Sequence, residues 1–322
     1  MTYVQVIVGF LLLLGGAEIL VRGSVAITRQ LNVSTLVIGM TVVAFGTSVP
    51  ELVVSLNAAL EGTAGIAVGN IVGSNVANVL LILGTAGLVY PIAARDRPLV
   101  RDAAVLVAGS MLFVALAWNG TLGLLSGVVL LLAFFGFLID SYRREARGEH
   151  GAAGESLIDE VGELGQVRGP RWLSWALAAG GLAAVLVGAE ILVDGGVAIA
   201  EKFGVPEEVI GLTLIAIGTS LPELAASAVA AARGHADVAV GNVIGSNLFN
   251  MLGVAGTVAV TTSVAVPEQI RLFDIWVMLA ATIAMLPFLV GGWRFGRRAG
   301  IGFLAVYVGY VVLQAYGVAD VL

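Results

Sequence analysis

Cysteine is absent from the 322 residues, which excludes disulfides, thiolate metal sites, iron–sulfur clusters and cysteine nucleophiles. Lysine occurs once, as Lys202 in Glu201-Lys202-Phe203. A P-loop needs Gly-x-x-x-x-Gly-Lys followed by Ser or Thr, so no nucleotide-binding loop of that kind exists and transport driven by the chain's own ATP hydrolysis is excluded. Histidine occurs twice, at His150 and His235, both in polar stretches. That leaves neither a serine–histidine dyad inside the apolar runs nor a His-Glu-x-x-His zinc helix, so a membrane protease is a poor fit. Charge is scarce as well: 12% of residues are charged against 59% hydrophobic, the net charge is -6, and the mean hydropathy is +1.01. Such a balance belongs to a membrane protein and not to a globular one. Eight prolines and 43 glycines, with no Gly-X-Y period, exclude collagen and disordered linkers and predict helices packed closely through small residues.

A spanning helix needs about 20 largely apolar residues. On that measure the chain contains ten spans, starting near Tyr3, Thr35, Ala64, Asp102, Leu122, Trp172, Pro206, Val238, Leu272 and Arg298. Met1-Thr2-Tyr3-Val4-Gln5 lacks a basic segment and the run behind it has full spanning length, so the first helix is expected to be retained and not cleaved as a signal. Alternating spans assign alternate loops to each side. Arg29, Arg95, Arg97, Arg143, Arg144, Arg147, Arg168, Arg171, Arg233, Arg294 and Arg297 then collect on one side, against Lys202 and Arg271 on the other. By the positive-inside rule the arginine-rich side is cytoplasmic and both termini face outward. Residues 141–171 form the one long polar stretch, which is expected to be a solvated cytoplasmic linker too short for a regulatory domain.

Internal similarity fixes the architecture. Gly46-Thr47-Ser48-Val49-Pro50-Glu51 recurs further along the chain as Gly218-Thr219-Ser220-Leu221-Pro222-Glu223. The same offset aligns Gly69-Asn70-Ile71-Val72-Gly73-Ser74-Asn75-Val76-Ala77-Asn78 with Gly241-Asn242-Val243-Ile244-Gly245-Ser246-Asn247-Leu248-Phe249-Asn250, and Gly16-Ala17-Glu18 with Gly188-Ala189-Glu190. Five spans in each half place the second copy upside down, the inverted-topology repeat of many secondary transporters. The expected fold is an all-α membrane protein of ten transmembrane helices in two inverted five-helix repeats. Residues 1–140 carry the first repeat, with its motifs in 39–84; residues 172–322 carry the second, with its motifs in 211–256.

Chemistry concentrates where the repeats are polar. Glu51 and Glu223 fall midway along apolar helices, where a carboxylate costs about 2.5–3.5 kcal/mol or more and is found in a cavity or beside a cation. Thr47 and Ser48 precede Glu51 by four and three residues, on one helical face, and Thr219 and Ser220 stand likewise to Glu223. Pro50 and Pro222 interrupt the backbone ladder, and broken backbone at membrane depth is tolerated where it lines a cavity or coordinates an ion. Asn70, Ser74 and Asn78, with Asn242, Ser246 and Asn250, add amide and hydroxyl oxygens along a second stripe. Oxygen ligands without imidazole or sulfur suit hard cations such as Ca²⁺ and Na⁺. Two ionised glutamates balance one Ca²⁺, two Na⁺ or two protons, which is the competition that exchange requires.

These paired motifs resemble those of the cation/calcium exchanger superfamily, in particular its prokaryotic sodium/calcium exchangers, over nearly all ten spans. The resemblance implies a secondary antiporter and not an enzyme, with oxygen-lined cation sites among helices two, three, seven and eight. It implies a Ca²⁺ site of Glu51, Glu223, Thr47 and Thr219, and flanking Na⁺ sites at Ala44, Ser48, Ser74, Asn78, Ala216, Ser220 and Ser246. Helices one and six are implied to slide across that core. Some relatives carry aspartate where this chain has Asn250, so stoichiometry and any potassium requirement do not transfer. Exchange of Ca²⁺ for protons through the same glutamates stays open as the alternative, although Gly46-Thr47-Ser48 favours sodium. No cofactor is expected; Ca²⁺ and Na⁺, with H⁺ as the alternative, are cargo. Partners are inorganic cations and the lipid bilayer, with neither nucleic acid nor nucleotide, and the chain is expected to work as a monomer in the cytoplasmic membrane.

The remaining polar residues have structural readings. Asn75 and Asn247 are expected to be structural; Asn70 and Asn242 fit helix-to-helix bonding as well as ion contact. Glu18 has Arg22 one turn on, whereas Glu190 has Asp194 there, so a gating role stays open for the two glutamates. Asp102 and Asp274 are expected to cap helices four and nine. Trp118, Trp172, Trp276 and Trp293 read as interfacial anchors.

Overall fold

The computed structural model describes residues 2–31, 38–92, 97–146, 170–202 and 216–316. Their order is α1 (Thr2–Leu31); a π turn (Gly39–Val43) leading into α2 (Ala44–Thr47) and α3 (Val49–Leu60); α4 (Ala64–Ala77), a π turn (Asn78–Leu83) and α5 (Gly84–Val89); α6 (Arg97–Ala117); β1 (Thr121–Leu122); and α7 (Leu124–Ala146). The second half has α8 (Arg171–Lys202); α9 (Ala216–Thr219) and α10 (Leu221–Ala232); α11 (Ala236–Leu248), a π turn (Phe249–Val254) and α12 (Ala255–Thr261); β2 (Val264–Ala265); a π turn (Ile270–Asp274) and α13 (Ile275–Leu289); and α14 (Arg297–Tyr316). Expected span starts at Ala64, Leu122, Trp172, Val238, Leu272 and Arg298 agree with observed helix starts to within two residues. Those near Thr35 and Pro206 lie outside the described residues.

The protein is an all-α membrane protein. Among the described residues seven helices are long and apolar enough to cross a bilayer, and an eighth span results if the pair Gly39–Thr47 and Val49–Leu60, bent by 46°, is one crossing. The helices from Ala64 to Val89 and from Ala236 to Thr261 are the most enclosed. They stand at the centre, and α1 and α8 lie outside them with apolar faces turned to lipid, as at Tyr3, Ile7, Leu11 and Val187.

Glycine determines how α1 and α8 meet. Gly9, Gly16 and Gly23 recur at heptad spacing on α1, and Gly181, Gly188 and Gly195 do so on α8. A Cβ on Gly23 would fall 2.4 Å from the Ala178 nitrogen, one on Gly16 2.7 Å from that of Val185, and one on Gly9 2.6 Å from that of Leu192. The ascending series on α1 thus meets a descending series on α8, so the two helices are antiparallel and in backbone contact. Close approach of this kind replaces the missing hydrophobic drive between helices in lipid with dispersion contacts.

Three expectations need correction. Asp102 does not cap a helix: α6 starts at Arg97, which puts Asp102 inside it, 3.5 Å from Arg101, whose guanidinium also pairs with Asp140. Asp274 precedes α13 but makes no capping bond; its carboxylate accepts from Tyr310 Oη at 3.0 Å and from Gln314. Both acids are buried against neighbouring helices, where side-chain donors outcompete a backbone N–H. In addition, α7 continues to Ala146, into the stretch assigned to the linker. Trp118, Trp172, Trp276 and Trp293 are all half-exposed at or beside helix ends, as expected of anchors.

Adding a methyl group at Gly181, whose Cβ would lie 2.3 Å from the Leu20 nitrogen, should separate α1 from α8. Gly181→Ala is expected to destabilise the protein by about 1–3 kcal/mol. Gly180→Ala, with nothing within 4 Å, should be neutral; thermal unfolding in detergent compares the two.

Candidate cation site

Both broken helices turn at a serine. Ser48 (φ -89°, ψ 10°) and Ser220 (φ -89°, ψ 1°) leave the helical conformation, and Pro50 and Pro222 sit in the first turn of α3 and α10. Proline is accommodated there because the first N–H groups of a helix lack intrahelical acceptors. The restart places Glu51 and Glu223 at the N-terminal turns, where the helix dipole and free N–H groups favour negative charge. Both carboxylates are buried, at 0% and 1% exposure.

The two halves meet at these acids. Ser48 Oγ donates to Glu223 Oε1 at 2.8 Å, and the two carboxylates are close enough to interact electrostatically. Thr219 stands beside the Glu51 carboxylate and Thr47 beside that of Glu223. Thr47 spends its proton on the Val43 carbonyl at 3.0 Å, which leaves its oxygen lone pairs available. Both oxygens of Glu51 and Oε2 of Glu223 have no hydrogen-bond partner among the described residues. These oxygens are therefore buried, negatively charged when ionised, and without a cationic partner among the described residues.

Behind each acid stands the same brace. Asn70 Nδ2 donates to Ser55 Oγ at 2.9 Å and to the Glu51 carbonyl at 3.2 Å. Asn242 Nδ2 donates to Ser227 Oγ at 2.9 Å and to the Glu223 carbonyl at 3.4 Å. These bonds tie α4 to α3 and α11 to α10 one turn below the carboxylates, so the asparagine amides hold helices together. Ser55 and Ser227 were absent from the residues singled out by sequence, although each follows its glutamate by four and the two are related by the repeat offset.

A second polar cluster lies where α4 and α11 pass into π turns, a distortion common at functional sites. Asn78 Nδ2 donates to Asn247 Oδ1 at 3.0 Å, so Asn247 joins the halves as expected of a structural residue, and Asn75 bonds within its own helix, to the Ile71 carbonyl at 2.6 Å. Asn78 Oδ1, both polar atoms of Asn250, and the hydroxyls of Ser220 and Ser246 are buried without partners among the described residues. Ser74 is buried nearby. Ala44 lies in α2, its carbonyl accepting from the Ser48 N–H at 3.1 Å, and Ala216 opens α9. No group of three or more His, Cys, Asp or Glu residues that could hold a metal ion occurs among the described residues. The donor set is two carboxylates among neutral oxygens, which matches a hard cation and does not match zinc or copper.

The family model for the sodium/calcium exchanger protein matches residues 1–142 and 173–316. The chain is 37% identical to the putative antiporter CaxA of Alkalimonas amylolytica over 311 residues, 96% of this chain and 97% of that protein. It is 32% identical to the sodium/calcium exchanger MaX1 of Methanosarcina acetivorans, with 98% of each covered. Among solved structures it is similar to the sodium-calcium exchanger NCX_Mj soaked with Na⁺ and Ca²⁺, with a TM-score of 0.83, 32% identity, and 98% of this chain and 97% of that one covered.

Removing one brace should be felt without any ion. Asn242→Ala strands Ser227 Oγ and the Glu223 carbonyl, a loss of about 1–3 kcal/mol for a buried group left unsatisfied. Adding Ser227→Ala should cost less than the two single changes together, a coupling read from a double-mutant cycle of thermal unfolding.

Proposed function

The chain belongs to the sodium/calcium exchanger family, and from that premise we infer that it is a secondary antiporter exchanging Na⁺ for Ca²⁺ across the cytoplasmic membrane, with Ca²⁺ extrusion as its work. The observation that carries this reading is the set of orphaned oxygens on Glu51 and Glu223. An isolated buried carboxylate is strongly disfavoured unless a cation or a proton neutralises it, and no ion pair to either acid occurs among the described residues. A transported cation is the missing partner. Ca²⁺ is taken by Glu51 and Glu223 together with Thr47 and Thr219. Na⁺ is taken at the oxygens of Ala44, Ser48, Ser74, Asn78, Ala216, Ser220 and Ser246, with Asn250 lining the same cluster. One Ca²⁺ or two Na⁺ balance the two charges, so the ions compete for one set of acids.

The architecture proposed for this work is ten spans in two inverted repeats, residues 1–140 and 172–322. The antiparallel contact of α1 with α8 supports inversion, since these helices occupy corresponding places in the two halves. So do the matched braces. The antiparallel pairings of Leu122 with Val264 and of Ile92 with Phe295 support it too, since the repeat offset nearly exchanges one for the other. Access alternates as α1 and α8 move against the core. The arginine distribution orients both termini to the outside, and the chain acts as a monomer.

Reconstituted into sealed liposomes, the protein should take up ⁴⁵Ca²⁺ when an outward Na⁺ gradient is imposed at equal pH. A proton gradient alone should give no uptake; uptake driven only by that gradient would make the glutamates proton carriers. Glu51→Gln and Glu223→Gln are each expected to abolish the flux, and persistence of Ca²⁺ uptake in either variant overturns the site.

A further inference from the structure

The inverted repeats match closely in the cation site, yet they differ in charge where α1 approaches the core. Glu18 on α1 receives Arg22 Nε at 2.6 Å, Arg233 Nε at 2.8 Å and Arg233 Nη2 at 2.6 Å. Arg233 caps the C-terminal end of α10, so this cluster ties the outer helix to the core helix that carries Glu223 in its first turn. Leu13 and Ala17 of α1 are buried with Ala225 of α10 along the same contact, and Val229, one turn before Arg233, packs against them. This face is closed.

The repeat offset gives the corresponding positions of the other half. Glu18 becomes Glu190, Arg22 becomes Asp194, and Arg233 becomes Glu61. Three acids therefore stand where one acid and two arginines form the cluster. All three are exposed, and among the described residues α8 makes no extended contact with α3 to match that of α1 with α10. Like charges at close range oppose association, whereas ion pairs favour it.

We propose that Glu18, Arg22 and Arg233 form a one-sided latch that biases the exchanger toward the state closed between α1 and α10 and open between α8 and α3. The inference rests on the alternating-access reading given above. In a symmetric inverted repeat the two access states would be interchangeable. Here the first is held by a bidentate arginine on a shared carboxylate, while the second has to bring Glu61 toward Glu190 and Asp194. On the orientation set by the arginines, the latch closes the cytoplasmic face, so the resting protein presents its carboxylates outward. The latch thereby gives opposite directions of exchange unequal starting populations without touching the ion ligands.

Because the chain has no cysteine, single reporters are clean. Val229→Cys reports the latched face, and Asn57→Cys, at the corresponding and exposed position of the first half, reports the opposite one. Ion-free protein in nanodiscs is labelled with a neutral maleimide, and each variant is first checked for folding by gel filtration and thermal unfolding. In the otherwise native sequence Asn57→Cys should label faster. Arg233→Glu should raise labelling of Val229→Cys by roughly fivefold, the upper range for exposed ion pairs. Glu61→Arg should create the absent latch and lower labelling of Asn57→Cys by about the same factor, an effect removed by adding Glu190→Gln. Local charge acts with the opposite sign, because a nearby acid suppresses the reactive thiolate and a nearby arginine promotes it. Unchanged labelling, or changes with that opposite sign, in folded variants would overturn the latch. If Arg233→Glu does not fold, Glu61→Arg, which leaves the cluster intact, decides alone. The exchanger reading fails separately, if the unmodified protein in liposomes shows no counter-ion-dependent ⁴⁵Ca²⁺ flux whatever the labelling pattern.

Discussion

Burying two carboxylates in the centre of an apolar helix assembly is the constraint to which the surrounding structure answers. Each acid is placed at the start of a helix, where the dipole and unpaired N–H groups lower the cost of its charge. Placing a helix start at that depth requires a break, and the breaks at Ser48 and Ser220 followed by proline provide it. A broken helix is weak, and the Asn70–Ser55 and Asn242–Ser227 braces bind each restarted half to its neighbour. These provisions reduce the cost of the acids without neutralising them, because three of the four carboxylate oxygens have no hydrogen-bond partner among the described residues. A donor such as arginine fixed at that point would cancel the charge permanently.

The bonds that cross between halves are unequal although the sequences match. Ser48 bonds Glu223, but the hydroxyl of Ser220, its counterpart, has no partner among the described residues. Asn78 bonds Asn247, while Asn250 is left there with both polar atoms unpaired. Within each half the braces are nearly superimposable in length. The repeat is thus symmetric where it builds scaffold and asymmetric where the halves face one another. The structure thus holds one of two pairings that the repeat makes chemically equivalent, the other being Ser220 with Glu51 and Asn250 with Asn75.

Much of this was legible from residue types and one offset. Polar residues in apolar runs are costly enough to stand out, and finding them again at matching positions of the second half marks Glu51, Glu223 and their hydroxyl neighbours as one candidate site. The pair of Glu18 with Arg22 was legible because one helical turn separates them. Its second partner was not: Arg233 is 215 residues away, and only the packing of α1 on α10 brings it there. The same limit explains Asp274, whose donors Tyr310 and Gln314 come from the last helix, so a local capping rule assigned it the wrong partner. Ser55 and Ser227 carried the repeat signal, but a serine facing one helix turn is cheap to bury and draws no notice on hydropathy alone.

Where the structure yields mechanically also follows from contact chemistry. Sliding α1 along α8 would drive side chains into glycine gaps where a single Cβ would approach backbone atoms to 2.3–2.9 Å, and it would forfeit dispersion contacts that lipid replaces poorly. The centre is no softer, for Gly39 and Gly245 press α11 against the first π turn, with added carbons falling 2.7 Å from the Val238 oxygen and 2.4 Å from the Met40 oxygen. Between these two tightly meshed units the joint of α1 with α10 is made of small apolar side chains, Ala17 on Ala225 beside Leu13, and of solvent-reachable ion pairs. Exposed ion pairs break and reform for about 1 kcal/mol or less each. Backbone contact is thus kept within each unit, and between the α1–α8 pair and the core it is side chains that meet, with Leu182 and Val193 of α8 filling the space over Gly46 and Gly218 and the ion pairs of Glu18 on the α1 side.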